Sequence, residues 1–127
     1  MPERRRVSSH SPLEQRYGYS RAVEAGGRVV VSGTAPIWRD GECDPDAGAQ
    51  ARRCLEIIVA ALEELGLGAG DVVRTRMFVT SAEHAEAVGL AHAEQFGEAP
   101  PATTMVVVAG LLDPRWKVEI EAEAMLA

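Results

Sequence analysis

Three glutamates near the end of the chain, Glu119, Glu121 and Glu123, alternate with apolar residues. Strict alternation predicts an extended strand on which the three carboxylates share one face. A carboxylate that is partly withdrawn from water has a raised pKa and can act as a general base that activates a water molecule. Three like charges on one strand face are also typical of a solvated surface, and we favour that interpretation for Glu121 and Glu123.

Other polar and aromatic residues give weaker signals. Arg76 lies on a predicted strand, where a surface or interface ion pair is its commoner role. His92 lies near the apolar face of a predicted helix, and a core histidine is favoured there. Trp38 and Trp116 fall in predicted loops, where an indole can cover a cleft or cap a sheet edge. Capping is favoured for both, and Trp116 is the better pocket candidate because it precedes the glutamate strand.

The pattern of potential ligands predicts no metal and no cofactor. No group of histidine, cysteine and carboxylate residues has metal-ligand spacing. The glycines Gly66, Gly68 and Gly70 lack the Lys-Ser/Thr pair that follows in a phosphate loop. Cys54 lies on an apolar helical stripe, and Cys43 lies in a polar loop without an activating neighbour.

Length and composition predict one globular domain over residues 16–127, preceded by a flexible tail over residues 1–15. The 127 residues are 46% hydrophobic and 25% charged, which is the balance of a soluble globular protein. The net charge of −6 argues against a nucleic-acid partner. No apolar run approaches the ~20 residues that span a bilayer, and no signal peptide is visible, so we expect no membrane contact and a cytoplasmic location.

The elements that must position the glutamates follow the order β-β-α-β-α-β-β. The first two strands flank Gly26-Gly27, and Asp44-Pro45 is predicted to start the first helix, which ends at Gly66. Thr80 and Glu83 form a predicted capping box for a second helix that runs from about Ser81 to Phe96. Between the helices a strand covers Asp71 to Thr80, with Val73, Thr75, Met77 and Val79 on one face.

Right-handed crossovers place both helices on one face of the mixed sheet. The valine runs Val29–Val31 and Val106–Val108 put apolar groups on both faces. Because nothing else in the chain can cover the second face, we expect a homo-oligomer.

Five motifs follow one another in order over residues 19 to 124. They are Tyr19-Ser20-Arg21-Ala22-Val23, Val31-Ser32-Gly33-Thr34-Ala35-Pro36, Gln50-Ala51-Arg52, Asp71-Val72-Val73-Arg74-Thr75, and Pro101-Ala102-Thr103-Thr104-Met105-Val106 followed by Glu119-Ile120-Glu121-Ala122. Together they resemble the RidA (YjgF) family of reactive enamine/imine deaminases. The resemblance implies a chorismate-mutase-like α+β fold and a homotrimer that binds small molecules in clefts between subunits.

The resemblance also implies roles for residues. Glu119 corresponds to the glutamate that positions water, and Tyr19 to a tyrosine of the pocket. The backbone of Gly33 and Thr34 corresponds to the pocket wall, which Thr104 and Met105 extend. Thr103 stands where the family has an arginine that grips the substrate carboxylate. Arg76 is a candidate replacement cation, although an ion pair is its favoured role.

Three functions therefore remain open. The first is a RidA-like hydrolase that acts on C=N bonds of an imine, enamine or related small electrophile, but inefficiently on 2-aminoacrylate-type 2-imino acids because Thr103 replaces the arginine. The second is a non-catalytic trimer that binds a small metabolite in the same cleft. The third is an endoribonuclease, which the net charge disfavours.

Overall fold

The computed structural model describes residues 4–126. The strands are β1 (Arg5–Val7), β2 (Ala22–Ala25), β3 (Arg28–Thr34), β4 (Val72–Val79), β5 (Ala102–Val107) and β6 (Val118–Met125). The helices are α1 (Pro12–Tyr17), α2 (Ala47–Glu64) and α3 (Ala85–Phe96). The strands form one mixed sheet in the order β1-β2-β3-β6-β4-β5, with β4 and β5 parallel and all other neighbours antiparallel. The predicted α+β fold class is confirmed.

Residues 4–15 differ from the expected flexible tail, because they contain a strand and the start of a helix. Strand β1 pairs with β2, and its Val7 is buried in the core. Ser11 caps α1 by accepting a hydrogen bond from the Leu13 N–H, and Gly18 ends it with a φ of 74°. Sequence analysis missed both elements because a strand of 3 residues and a helix of 6 residues are too short to show a period. Residues 1–3 of the expected tail lie outside the described residues.

Both long helices contribute to one core on the same side of the sheet. Helix α2 contacts β3 and β6, and α3 contacts α2. Alternate residues of the central strands point into this core, because successive strand side chains face opposite sides. The core contains Val29, Val31, Ile58, Leu62, Val88, Val118, Ile120 and Ala122.

The start of α2 lies two residues after the predicted one. Asp46, not Asp44, is the N-cap, and its carboxylate accepts a hydrogen bond of 2.8 Å from the Ala49 N–H. Asp44 instead accepts a bond from the Asp46 N–H. The predicted end at Gly66 is confirmed by its φ of 84°.

The start of α3 is also later than expected. The Ser81 hydroxyl accepts a hydrogen bond from the Glu83 N–H and caps a 3-10 turn, Ala82–His84. Thr80 therefore does not form the predicted capping box, and α3 begins at Ala85. A second 3-10 turn, Ala69–Asp71, precedes β4.

The other side of the sheet, which we call the open face, carries the three glutamates of β6. Its residues include Val30, Arg74, Arg76, Phe78, Thr104, Val106, Glu119, Glu121 and Glu123. Val30 is 46% exposed and Val106 is 42% exposed, so apolar surface remains uncovered here. A register shift between Val72 and Arg74 leaves Val73 exposed, which corrects its predicted place beside Thr75. No helix within residues 4–126 is long and apolar enough to cross a membrane.

Candidate functional site

Glu119 lies on β6 directly against the backbone of β3. The β3–β6 register shifts between Val31 and Thr34, and this irregularity contains Gly33. A Cβ atom at position 33 would stand 2.7 Å from Glu119 Oε2. Burial raises the pKa of Glu119, the Arg21 guanidinium lowers it, and Glu121 raises it again. The net shift is upward, in the direction that makes a carboxylate a better general base near neutral pH.

A buried arginine contacts the same glycine. Arg21 is 8% exposed, and its Nη2 donates a hydrogen bond of 2.6 Å to the Gly33 carbonyl. Burial lowers its pKa, whereas Tyr19, Glu14 and Glu119 raise it. Arginine stays protonated despite burial, so Arg21 is a fixed positive charge beside Glu119.

Tyr19 follows α1 and lines a groove at the outer edge of the open face. The groove encloses about 470 Å³ and is lined by Arg6, Glu14, Gln15, Gly18, Tyr19, Ser20, Val23, Val30 and Ser32. The Ser32 hydroxyl donates a hydrogen bond of 2.7 Å to the Ser20 carbonyl, which ties β3 to the segment that carries Tyr19. Arg6 adds a positive charge to the groove through β1, a strand that sequence analysis missed.

Arg76 lies on the open face but is engaged by glutamates. Its Nη1 is 2.9 Å from a carboxylate oxygen of Glu121 and 3.9 Å from one of Glu123. These residues, with Val30 and Arg74, line a smaller groove of about 210 Å³. The favoured prediction of an ion pair for Arg76 is therefore confirmed.

Thr103 lies on the helix side of β5, not on the open face. Its hydroxyl is 2.9 Å from the hydroxyl of Thr75, which is itself 2.8 Å from His92 Nε2. Met105 lies two residues along β5 and packs against the core. Burial lowers the pKa of His92. The Thr103 hydroxyl thus belongs to a neutral cluster with Thr75 and His92.

The residues predicted for the pocket consequently fall on two sides of one sheet. Glu119, Arg76 and Thr104 lie on the open face, and Thr103 and Met105 lie on the helix side. The Thr34 side chain is fully buried and donates a hydrogen bond to the Ser32 carbonyl, so Thr34 can offer a ligand only its backbone.

Trp116 lies in the loop before β6. It is partly buried, and its backbone N–H donates to the Asp113 carbonyl. Among residues 4–126, no group of three or more histidine, cysteine or carboxylate side chains could hold a metal ion.

Two polar residues near the site had no role assigned from the sequence. Arg21 belongs to the motif Tyr19-Ser20-Arg21-Ala22-Val23. The sequence feature that could have indicated its role is a charged residue at the start of an apolar strand. Gln50 was likewise part of a motif. Its fully buried amide joins two loops by donating to the Asp44 and Arg115 carbonyls and by accepting from the Lys117 N–H.

The family model described as endoribonuclease L-PSP matches residues 9–126. The chain belongs to the endoribonuclease L-PSP family, which is also called the YjgF or RidA family. The predicted family membership is therefore confirmed. A crystal structure of a Mycobacterium tuberculosis member of the YjgF/YER057c/UK114 family has 44% sequence identity and a TM-score of 0.90, over 98% of this chain and 100% of that one.

Relatives in this family carry different descriptions. A Streptomyces coelicolor protein that is described as uncharacterized is 43% identical over 123 residues, which cover 94% of this chain and 90% of the relative. The 2-iminobutanoate/2-iminopropanoate deaminase of Escherichia coli is 36% identical over 112 residues, which cover 84% of this chain and 86% of the enzyme. The crystal structure of E. coli TdcF with bound serine has 29% identity and a TM-score of 0.82, over 97% of this chain and 94% of that one.

Proposed function

We propose that this protein hydrolyses the C=N bond of a small imine or enamine metabolite. Water adds to the imine carbon, and the resulting carbinolamine expels ammonia to leave a carbonyl compound. Glu119 accepts the proton of the attacking water and returns a proton to the departing nitrogen. The observation that carries this proposal is the Glu119 carboxylate, packed against the Gly33 backbone with its pKa raised by burial.

The substrate class follows from Thr103. A guanidinium makes charge-assisted hydrogen bonds to a carboxylate of about 1.5–3 kcal/mol each, and a neutral hydroxyl gives about 0.5–1.5 kcal/mol. The difference corresponds to a loss of roughly ten- to several hundred-fold in affinity for a 2-imino acid. The Thr103 hydroxyl also has hydroxyl and imidazole neighbours within 3.4 Å. We therefore infer that the preferred substrate is a neutral imine, or one whose carboxylate is bound by another cation such as Arg76 or Arg6.

The proposed pocket requires more than one copy of the chain. Thr103 and Glu119 lie on opposite faces of the sheet, so a cleft that uses both must combine the β5 edge of one subunit with the open face of another. The exposed Val30 and Val106 side chains support burial of this face against a second copy. We propose a homotrimer, for which light scattering should give three times the mass of one chain, whereas a monomer at micromolar concentration contradicts it.

The decisive experiment compares the wild type, Glu119→Gln and Thr103→Arg in the hydrolysis of freshly generated 2-iminopropanoate and of a neutral imine. The E. coli deaminase serves as the positive control. We expect turnover of the neutral imine by the wild type, none by Glu119→Gln, and a gain on 2-iminopropanoate for Thr103→Arg. Equal turnover of the neutral imine by the wild type and Glu119→Gln would rule out the role of Glu119.

A non-catalytic metabolite-binding trimer is the alternative, and a specific observation favours it. TdcF, which has the same fold, was crystallised with serine. Binding without turnover, measured by calorimetry and unchanged in Glu119→Gln, would support this alternative. Ribonuclease activity, named in the family description, is the least favoured function because the net charge is −6 and phosphate binding requires a basic surface.

A further inference from the structure

Arg21 is a buried cation for which the proposed hydrolysis has no role. Its guanidinium belongs to a residue that is only 8% exposed, and its buried Nε has no hydrogen-bond partner among residues 4–126. Buried polar groups are normally paired, and a buried charge is costly unless it is compensated. A buried arginine whose Nε has no partner therefore points to a role that a smaller or apolar residue cannot fill.

Gly33 links this arginine to the candidate base. The Gly33 carbonyl accepts a bond of 2.6 Å from Arg21 Nη2. Glu119 Oε2 is 2.7 Å from the place where a Cβ at position 33 would stand. Arg21 and Glu119 thus each contact Gly33, so a shift of the arginine alters the backbone surface against which the carboxylate lies.

We propose that Arg21 is a positioning residue for Glu119, which fixes the Gly33 backbone against the carboxylate and holds a permanent positive charge beside it. The proposal rests on the proposed function for its biological meaning. It concerns the placement and ionisation of Glu119, which can be measured without turnover.

The charges around the pair agree with this role. Burial and the neighbouring Glu121 both raise the pKa of Glu119, and Arg21 lowers it. The Cys54 thiol of α2 faces both residues, but burial raises its pKa so far that it stays neutral. Arg21 is therefore the group that opposes protonation of Glu119. Tyr19 and Glu14 also raise the pKa of Arg21, and a groove that contains Arg21 is lined by four further charged residues, Arg39, Arg53, Glu56 and Glu64.

The test follows the carboxyl carbon of Glu119 by NMR through a pH titration in matched variants. Arg21→Gln removes the positive charge and shortens the side chain by two bonds from the Nη2 that donates to the Gly33 carbonyl, so the pKa of Glu119 should rise. Arg21→Lys keeps the charge and should titrate closer to the wild type. Arg53→Gln is the control, because Arg53 also donates to a backbone carbonyl, that of Ile37, and should leave the titration unchanged. A wild-type titration of Glu119 in Arg21→Gln would overturn the proposal.

A second measurement needs no substitution of the arginine and so does not depend on the fold of a variant. The ¹⁵N resonance of Arg21 Nε in the wild type should shift with the midpoint of the Glu119 titration, and this shift should vanish in Glu119→Gln. A resonance that stays constant through that titration would overturn the proposal. A wild type without any turnover would contradict the proposed hydrolysis and leave this test intact.

Discussion

The Glu119 carboxylate occupies the space in which a side chain at position 33 would begin, since its Oε2 lies 2.7 Å from the ideal Cβ position of Gly33. The glycine is required there for space, because its φ is not in the left-handed region. The carboxylate therefore lies where only a glycine at position 33 leaves room for it.

Replacing Gly33 by alanine should consequently displace the Glu119 carboxylate while the fold persists, because the atom that must move is the end of a flexible side chain. A misplacement of about 1 Å at a reacting group can cost about 100-fold in rate. We expect imine hydrolysis to fall by about 10- to 100-fold in Gly33→Ala, measured as kcat/KM, with a nearly unchanged melting temperature.

Gly70→Ala is the matched control, because a Cβ at Gly70 meets nothing within 4 Å. Its turnover should equal that of the wild type. Full activity in Gly33→Ala would mean that the position of Glu119 does not limit the reaction.

Substitution of Glu119 itself should stabilise the protein at neutral pH. Burial raises the pKa of Glu119 in the folded state, so folding favours the protonated carboxyl. The stabilising contribution of this group is present at low pH and is lost as the pH rises through the folded pKa. Glutamine mimics the protonated form and does not titrate. Glu119→Gln should therefore melt above the wild type near pH 7, with a difference that shrinks as the pH falls toward about 4, the ordinary pKa of glutamate.

Differential scanning calorimetry between about pH 4 and about pH 8 checks this expectation. Glu63→Gln, which makes the same charge change at an exposed position of α2, is the control and should track the wild type. A lower melting temperature for Glu119→Gln at neutral pH would show that the Glu119–Arg21 attraction outweighs burial.

The large elements of the fold could be predicted from the sequence, and the short ones could not. The apolar stripe of α2 and the alternation of β6 each repeat over several periods, and Gly66 marks a helix end by its φ. Strand β1 and helix α1 are too short to show a repeating pattern of apolar residues. The bulge that exposes Val73 depends on the pairing of β4 with β6, which is a tertiary relationship that a single strand does not encode.

Part of the candidate site could also be predicted from the sequence, and part of it depends on tertiary contacts. Glu119 and Gly33 were expected from motifs, and the structure brings them into contact. Arg21 had no assigned role, because the contact with the Gly33 carbonyl connects residues 12 positions apart through the β2–β3 pairing. The resemblance assigns both Thr103 and Glu119 to clefts between subunits, and within one chain alternation along β5 and the hydroxyl contact with Thr75 place Thr103 on the face opposite Glu119. The face of an edge strand depends on register, and register is set by the whole sheet.

Gln50 should contribute strongly to stability. Its amide makes three hydrogen bonds to backbone groups of the loops before α2 and before β6, at 2.8, 3.0 and 2.7 Å. Its side chain is fully buried, so truncation leaves a cavity and removes the partner of three backbone groups. At about 0.5–1.5 kcal/mol for each bond, Gln50→Ala should lower the free energy of unfolding by about 2–4 kcal/mol, measured by urea denaturation. Gln95→Ala, at an exposed position of α3, should change the free energy of unfolding by less than about 0.5 kcal/mol. Equal losses for the two variants would contradict a stabilising role of the Gln50 hydrogen bonds.

The hydroxyl cluster on the helix side of β5 should behave as a coupled unit. Thr75 is fully buried and its hydroxyl lies between His92 Nε2 at 2.8 Å and the Thr103 hydroxyl at 2.9 Å. Thr75→Val keeps the shape of the side chain and removes both contacts, so at about 0.5–1.5 kcal/mol for each contact it should lower the free energy of unfolding by about 1–3 kcal/mol. Thr104→Val, on the open face, should have a smaller effect.

A double-mutant cycle with Thr103→Val tests the coupling directly. Once Thr75 is valine, the Thr103 hydroxyl has lost its shorter contact, so the second substitution should cost less than it does in the wild type. Residues in one hydrogen-bond network couple by at least about 0.5 kcal/mol, and additive effects of the two substitutions would contradict the cluster.

Because burial lowers the pKa of His92, the stabilising contribution of His92 is present above about pH 6.5, the ordinary pKa of histidine. It is lost as the pH falls through the lowered folded value. The cycle should therefore be measured near pH 8, where His92 is neutral.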